Sequence, residues 1–432
     1  MVVLKVKNSK PYVYIYIYEK KGAEAQSKRS HSTPNMKQLQ LCKSCNCNKI
    51  VDWLQLPDHI LSAIAIKLNH IKDFIRFGAV CQSWRSVYTD NRLHLSHKPS
   101  LLMLPTQLNN NYENQTRSFY SLAEARVLDF QVALPHDRIC VGSNHGWLVT
   151  LSKDWEMNLL NPFLSVNNQI QLPLATTFDD TLDAGSAASL PDFFRSVVKV
   201  VLSSNPASNP NYVAMAIFSD LSRLAFFKPG DKAYTSLDRK YDIVEDVIYY
   251  QEQFYFVNFY GKVYSCDLNH PQPMISEVAP PIHSKAIRRY IVELAGELLQ
   301  VCRITNYEGG DDPFDYYTKP RDKWFYFNAG FDVFKLDVVA HRWIKMDNLN
   351  GGVLFLGDNS SYSLLASDFT ECKPDSIYFT DDYYEGYLGK EKIGIGPHDM
   401  GVFNLKDQTL EPHYPTKSKM IIPAPIWIEP TT

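Results

Sequence analysis

The residues able to do chemistry in this chain are few, and their spacing argues against most of the chemistry they suggest. Cys42-x2-Cys45-x-Cys47 opens with a metal-like pair, but a structural zinc site takes four Cys or His ligands, usually as two separated pairs. The nearest other candidates are His31 and His59, so the cluster reads as thiols on a tail, and no metal or cofactor is expected. The pairs Asp179–Asp180, Asp311–Asp312 and Asp381–Asp382 could in principle supply an acid and a base. Glycoside hydrolysis needs two carboxyls set across a cleft in different environments; adjacent carboxylates in polar stretches read instead as solvated loop charge. Gly142, His145, Gly146 and Trp147 place an imidazole beside glycines, yet a tight hairpin with a packed Trp accounts for them. Asn161–Pro162 is a turn signal. Gly394-Ile395-Gly396-Pro397 lacks the Lys-Ser/Thr and the helix of a phosphate loop, and no G-x-S-x-G nucleophile motif occurs. No catalytic residue is assigned.

The elements that would position a site come from the rest of the chain. A length of 432 residues, 45% of them hydrophobic, implies two or three domains with ample core. Charge is unevenly placed: residues 1–50 carry ten Lys/Arg and two Asp/Glu, while the remainder is acidic. The first fifty residues therefore read as a basic, mostly disordered tail, and the acidic remainder excludes a nucleic-acid grip. Within the tail, Tyr12 to Tyr18 alternates Tyr with Val or Ile, a strand pattern and an aggregation hazard unless something pairs with it. No apolar run is long enough for a transmembrane helix. Scattered cysteines without a secretory signal point to a reduced, intracellular setting, in the nucleus, the cytoplasm or both.

From 51 to 95 apolar residues recur at helical spacing: Ile60, Leu61, Ile64, Leu68, then Ile71, Phe74, Ile75, then Val80, Trp84, Val87. Three short helices fit, each needing the others or a partner for stability. Residues 96–135, with the Asn-rich stretch Leu108 to Ser118, read as a connector. From 136 to 430 short alternating runs separated by turn residues indicate an all-β architecture. Segments starting at Met157, Arg223, Lys262, Asp332 and Met400 share a form: an apolar strand, a polar turn, another apolar position. A unit of about 40–50 residues with insertions suits the four-stranded blades of a propeller, about six of them. The fold class expected is multidomain, α plus all-β.

Residues 53–88 resemble the F-box family. The resemblance is carried by Trp53, Leu56, Pro57, Ile60, Leu61, Ile64, Leu68, Asp73, Phe74, Arg76, Phe77, Val80, Cys81, Trp84 and Arg85. The region after 136 is similar to the KIB-type propeller domain that follows an F-box in a plant family. It is carried by GSNHGWLV (Gly142 to Val149), LLNPF with IQLP (Leu159 to Pro173), VYSCDL, FDVFKLD, LGDNSSYSL and PAPIWIEP (Pro423 to Pro430). The resemblance implies an F-box docking on a Skp-type adaptor, and through it a cullin ubiquitin ligase, with the propeller selecting a protein client.

On that reading Leu56, Pro57, Ile60, Leu61, Ile64, Phe74 and Phe77 are the adaptor-binding candidates, with Leu56, Pro57, Ile60 and Leu61 mainly interfacial. Val80 and Trp84 are expected to be mainly internal. Two segments exceed a normal hairpin, Asn306 to Lys323 and Asp381 to Pro397. Their Tyr316, Tyr317, Tyr383, Tyr384 and Tyr387 are the client-binding candidates, since Tyr offers area and a polar tip together. Two rivals remain: a glycan hydrolase-like propeller enzyme, favoured by buried carboxylates at one channel mouth, and an F-box scaffold working outside a cullin ligase.

Overall fold

The computed structural model describes residues 2–9, 12–19, 56–66, 68, 74, 77–78, 80–91, 101–104, 117–122, 125–130, 138–161, 168–178, 196–219, 221–241, 243–308, 325–367, 369, 372–382, 399–412 and 425–428. The chain divides into two units, Met1–Leu95 and Ser96–Thr432.

In the first unit, β1 (Val2–Ser9) and β2 (Tyr12–Glu19) form a two-stranded antiparallel sheet, with Val2 opposite Glu19 and Ser9 opposite Tyr12. The Tyr-rich run thus has a partner strand inside the stretch expected to be disordered. Its partner VVLKVKNS interleaves lysines with apolar residues and carries less strand signal. The helical unit contains α1 (Asp58–Ile66) and α2 (Gln82–Asp90), with Phe74, Phe77 and Gly78 also helical. Most of the expected middle helix falls outside the described residues.

The described residues of the second unit form six sheets, the blades of a β-propeller. Blade one contains β3 (Leu101–Met103), β4 (Arg117–Ser121) and β5 (Arg126–Phe130). Blade two is β6 (Arg138–Asn144), β7 (Trp147–Ser152), β8 (Met157–Leu160) and β9 (Gln169–Gln171). Blade three is β10 (Val197–Leu202), β11 (Ala214–Phe218), β12 (Arg223–Phe227) and β13 (Thr235–Ser236). Blade four is β14 (Val244–Tyr250), β15 (Gln253–Asn258), β16 (Val263–Asp267) and β17 (Met274–Ala279). Blade five is β18 (Arg288–Leu294), β19 (Glu297–Glu308), β20 (Phe325–Asp337) and β21 (Arg342–Met346). Blade six has five strands: β22 (Gly352–Leu356), β23 (Ser361–Leu365), β24 (Ser376–Phe379), β25 (Gly401–Asn404) and β26 (Leu410–Glu411). The last strand, β27 (Ile426–Ile428), returns to blade one and pairs antiparallel with β3, closing the ring.

This closure corrects the connector expected over 96–135, which supplies three of the four strands of blade one. The propeller therefore begins at Leu101, not at 136. The reason is non-local: β3 and β4 are short, and their sheet is completed only by a strand from the far end of the chain. The repeat read from the sequence does correspond to one position, the next-to-last strand of blades two to six and the turn after it.

Blade six departs from the others. β22 is wedged between β23 and β24, antiparallel to the first and parallel to the second. The chain turns at 357–360, returns as β23 on the inner side, then crosses to place β24 beyond β22.

The core is a series of wedges between neighbouring blades, where successive sheets bury their facing side chains. Trp147, Phe178, Phe218 and Tyr234 fill the wedge between blades two and three. Trp427 on β27 is fully buried and meets the Phe355 ring at 5.0 Å, tying the closing strand to blade six. The β6–β7 hairpin turns on His145 (φ 52°) and Gly146 (φ 76°), the paired positive φ of a two-residue hairpin turn. It carries the buried Trp147, whose Nε1 donates to Asn205 Oδ1 at 3.0 Å, so His145 serves a turn as expected. No helix among the described residues is long and apolar enough to cross a membrane.

Candidate functional site

Two surfaces bear on function, one in each unit. In the helical unit, the Pro57 carbonyl accepts from the amides of Ile60 (2.9 Å) and Leu61 (3.1 Å), which starts α1. One face of α1 then turns inward: Leu61, Ala65 and Leu68 pack with Phe74, Phe77, Trp84 and Val87. The rings of Phe77 and Trp84 lie 4.6 Å apart, those of Phe74 and Tyr88 4.8 Å apart. A Cβ at Gly78 would fall 2.5 Å from Tyr88 Cγ, so only glycine admits that ring. Asn91 closes the unit, donating from Nδ2 to Ser62 Oγ at 3.0 Å.

The seven adaptor candidates therefore separate by face. Leu61, Phe74 and Phe77 are buried, Leu56 and Ile64 half-buried, Pro57 exposed, and Ile60 is 41% exposed. The expectation that Leu61 is interfacial is corrected: its side chain is fully covered because the i, i+4 pair Leu61–Ala65 faces the aromatic cluster. Trp84 is internal as expected, whereas Val80 is half-buried. Among the described residues, the strip of large apolar side chains left on the surface is Pro57, Ile60 and the outer side of Ile64, one face of a single helix.

In the propeller, the innermost strands run side by side in one direction, as their cross-blade contacts show. Lys199 and Asp246, each near a strand start, pair at 2.5 Å. Asn144 and Leu202, each at a strand end, meet through Asn144 Oδ1 and the Leu202 amide at 3.1 Å. The end where these strands begin holds nearly all the buried charge. Asp246 accepts from Lys199 of blade three and, through Oδ2, from the Ile291 amide of blade five at 3.0 Å. Lys199 Nζ also reaches Ser361 Oγ of blade six at 3.3 Å. Arg288 pairs with Asp358 at 2.8 Å, and Arg289 lies 3.5 Å from Glu245. Arg303, fully buried, pairs with Asp382 at 2.5 Å and with Asp399 at 2.9 Å, and donates to the carbonyls of Thr380 and Asp399. The Tyr290 hydroxyl donates to Asp382 Oδ2 at 2.5 Å.

Titration follows from burial set against these pairings. Burial alone would lower the Arg303 pKa, but Asp382, Tyr290 and Asp399 hold it charged, well above the ordinary value. Burial lifts Asp399 above the usual carboxylate range, with Arg303 opposing. Burial pushes Glu245 up to about 7, against Arg288 and Arg289. The thiols of Cys266 and Cys302 rise to about 12 through burial and are inert core groups.

The expectation of solvated charge at Asp381–Asp382 is overturned. Both are buried, Asp382 in the Arg303 clamp and Asp381 accepting from the Asp399 amide at 3.2 Å. Asp179–Asp180 and Asp311–Asp312 lie outside the described residues. Carboxylates do gather at one channel mouth, which is where a hydrolase would need them. Asp246, Asp358, Asp382 and Asp399 are each tied to a lysine or arginine, and Glu245 lies beside one, so the cluster is built of ion pairs between blades. Among the described residues no group of three or more His, Cys, Asp or Glu could hold a metal; Cys42, Cys45 and Cys47 lie outside them.

Residues 119–404, about two thirds of the chain, match the family model of the KIB1-4 β-propeller. The chain belongs to the KIB1-4 β-propeller family. It is 25% identical to the F-box protein SKIP23 of Arabidopsis thaliana over 409 residues, covering 88% of this chain and 96% of that one. The putative F-box protein At5g55150 of the same plant is 22% identical, covering 88% and 97%, and the F-box protein At2g17036 is 24% identical, covering 88% and 95%. The resemblance to plant F-box proteins with a KIB-type propeller thus holds over nearly the whole length.

The client candidates of this KIB propeller, Tyr316, Tyr317, Tyr383, Tyr384 and Tyr387, all lie outside the described residues. Their anchors do not. β19 ends and β20 begins at the mouth holding the buried charge, and so do β24 and β25; both long segments spring from that face. Arg303 binds Asp382 and Asp399, the described residues on either side of 383–398, and Asp399 Oδ1 accepts from the Asn328 amide near the start of β20 at 2.8 Å. Sequence reasoning missed this clamp. Its one visible signal was a charged residue, Arg303, next to the polar Gln300 in the mainly apolar run from Leu298 to Ile304.

Proposed function

We propose that this protein is the substrate-recognition subunit of a Skp–cullin–F-box ubiquitin ligase. In this reading the helical unit docks on the Skp-type adaptor and the propeller captures a protein client. The observation that carries it is the strip Pro57–Ile60–Ile64: an apolar helix face left on the surface while the opposite face is spent on the unit's own core. Such a face suits helix-in-groove binding, with Ile60 as its central anchor. Leu61, Phe74 and Phe77 then act indirectly, by fixing α1 in place, while Leu56 and Ile64 contribute their exposed sides. The chain itself does no chemistry in this reading. Rate comes from holding the client near the ligase, an effective-concentration effect. The ion pairing of the mouth carboxylates supports this non-catalytic role over a glycan hydrolase, which needs carboxyls open to substrate. The nucleus and cytoplasm, where such a ligase meets its clients, are the expected locations.

The test is co-purification of the full chain with a Skp-type adaptor and a cullin. Recovery of both supports the reading. Recovery of the adaptor without the cullin supports the scaffold alternative, and recovery of neither defeats the F-box assignment.

A further inference from the structure

The fourth and fifth blades meet through two charges that stop just short of a hydrogen bond. Glu245 Oε2 on β14 lies 3.5 Å from Arg289 Nη1 on β18, both side chains under a tenth exposed. Neither atom has a hydrogen-bond partner, and Arg289 Nε has none. Among the described residues no other side chain resolves the pair, although the Arg289 amide also favours the Glu245 carboxylate. Arg288, the other cation facing Glu245, is engaged by Asp358 at 2.8 Å. Asp246, next on β14, is taken by Lys199 of β10. From β19 come only the Cys302 thiol, held un-ionised by burial, and Gln300, whose Nε2 reaches the Gly261 carbonyl at 3.4 Å. From the segment before β18, the Ser284 carbonyl accepts from Arg289 Nη2 at 3.4 Å. Glu245 thus faces burial on one side and guanidinium groups on the other. Burial prevails, so its proton is lost near neutrality.

Arg289 is also the floor beneath an exposed turn. Its guanidinium carbon lies 5.9 Å from the centre of the Phe259 ring. A Cβ at Gly261 would stand 3.2 Å from Arg289 Nε and 2.9 Å from the Ile282 carbonyl, so the turn is laid directly on the arginine. Phe259 is 49% and Tyr260 62% exposed. The turn is wired to its surroundings: the Phe259 amide donates to the Ile243 carbonyl and the Ile243 amide to the Leu221 carbonyl, both at 2.9 Å.

We propose that Glu245 and Arg289 form a proton-dependent joint between blades four and five that sets the position of the Phe259–Tyr260 turn. With Glu245 protonated, the carboxylic acid is neutral and Arg289 stays under the turn. When the proton leaves to solvent, carboxylate and guanidinium attract strongly in their low-dielectric surroundings. The 3.5 Å spacing then closes to a charge-assisted hydrogen bond, and the arginine is drawn away from Phe259 and Gly261. The turn loses its floor and loosens. This holds whatever the propeller captures.

Amide hydrogen exchange on the full-length protein tests it, with rates corrected for their intrinsic pH dependence. The amides of Phe259 to Lys262 should exchange several-fold faster above neutrality than below it, with a step centred near pH 7. Glu245→Gln, permanently uncharged, should remove the step and keep the slow, acidic-form exchange throughout. A flat wild-type profile, or a step that survives in the Gln variant, overturns the proposal. Carbon-13 titration of glutamate carboxyls in the unmodified protein gives an answer that does not depend on the variant folding. One carboxyl titrating near neutrality is expected; all of them titrating in the ordinary glutamate range overturns the joint.

Discussion

Arg303 and Asp399 meet at 2.9 Å inside the propeller although 96 residues separate them in the chain. The same guanidinium holds Asp382, so one side chain fastens the described residues on both sides of 383–398 to β19. Removing it would leave two buried carboxylates without their cation. We expect Arg303→Met to cost about 3–5 kcal/mol, the usual penalty for breaking a buried pair from one side. Arg303→Lys should recover little of this, because an ammonium cannot span both carboxylates as the planar fork does. Denaturant unfolding of the three proteins measures it, and a loss under about 1 kcal/mol would show the clamp to be dispensable.

The pH dependence of stability has a definite sign. Glu245 has a folded-state pKa of about 7, above its ordinary 4.5, and Asp399 is also raised. Between the unfolded and folded values the native state binds the extra proton. Stability is therefore greatest below the unfolded value and falls as pH rises through the folded one. For Glu245 alone the fall is about 3 kcal/mol at most. Unfolding free energies measured from mildly acidic to neutral pH should decline, and Glu245→Gln should flatten the decline. A wild-type curve that rises over this window contradicts the burial argument.

The two faces of α1 should respond differently to substitution. Ile60→Asp places a charge on the exposed strip and should abolish adaptor binding while leaving the helical unit folded. Leu61→Ala empties a buried position and should destabilise that unit by about 2–5 kcal/mol, lowering adaptor binding only as the unit unfolds. Pull-down on the adaptor beside thermal melts separates the two outcomes. An Ile60→Asp protein that binds undiminished would move the adaptor contact off this strip.

How much of this was legible in the sequence depended on range. The repeat at Met157, Arg223, Lys262, Asp332 and Met400 was visible because a blade's next-to-last strand and the turn after it are local and similarly patterned. Helical spacing around Ile60, Leu61 and Ile64 was equally local. Blade one was hidden because Leu101–Met103 needs Ile426–Ile428 to make a sheet, and nothing nearby announces that pairing. The clamp was hidden for the same reason. Asp381–Asp382 looks like loop charge until Arg303 and Tyr290, both in the preceding blade, are placed beside it. Spacing also could not say which side of α1 Leu61 faces, since either neighbour of an i, i+4 pair can point inward.

Gly142 illustrates a constraint that spacing suggested only as a turn. It lies within β6, and a Cβ there would fall 2.3 Å from the Val200 carbonyl of the next blade. Backbone cannot yield as a side-chain tip can, so Gly142→Ala should force blades two and three apart at a cost of about 1–3 kcal/mol or more. Thermal unfolding checks this. A variant as stable as the parent would mean that the wedge between these blades has slack.

The client surface is the last expectation, and it remains a proposal resting on the two long segments. The described ends that flank the segments between β19 and β20 and between β24 and β25 lie on the same face, in adjacent blades, with Arg303 binding Asp382 and Asp399. A rigid scaffold presenting long connections on one face is the usual arrangement for recognition. Tyr316, Tyr317, Tyr383, Tyr384 and Tyr387 sit in those segments, and tyrosine is enriched at protein interfaces because it couples apolar area to a hydroxyl. Replacing all five with Ser should leave adaptor binding and the melting temperature nearly unchanged while client capture falls. Capture is read by proximity labelling with a chain lacking the helical unit, so that clients accumulate instead of being degraded. A labelled set unchanged by the five substitutions would place recognition elsewhere. Loss of capture together with loss of thermal stability would instead assign these tyrosines to the fold.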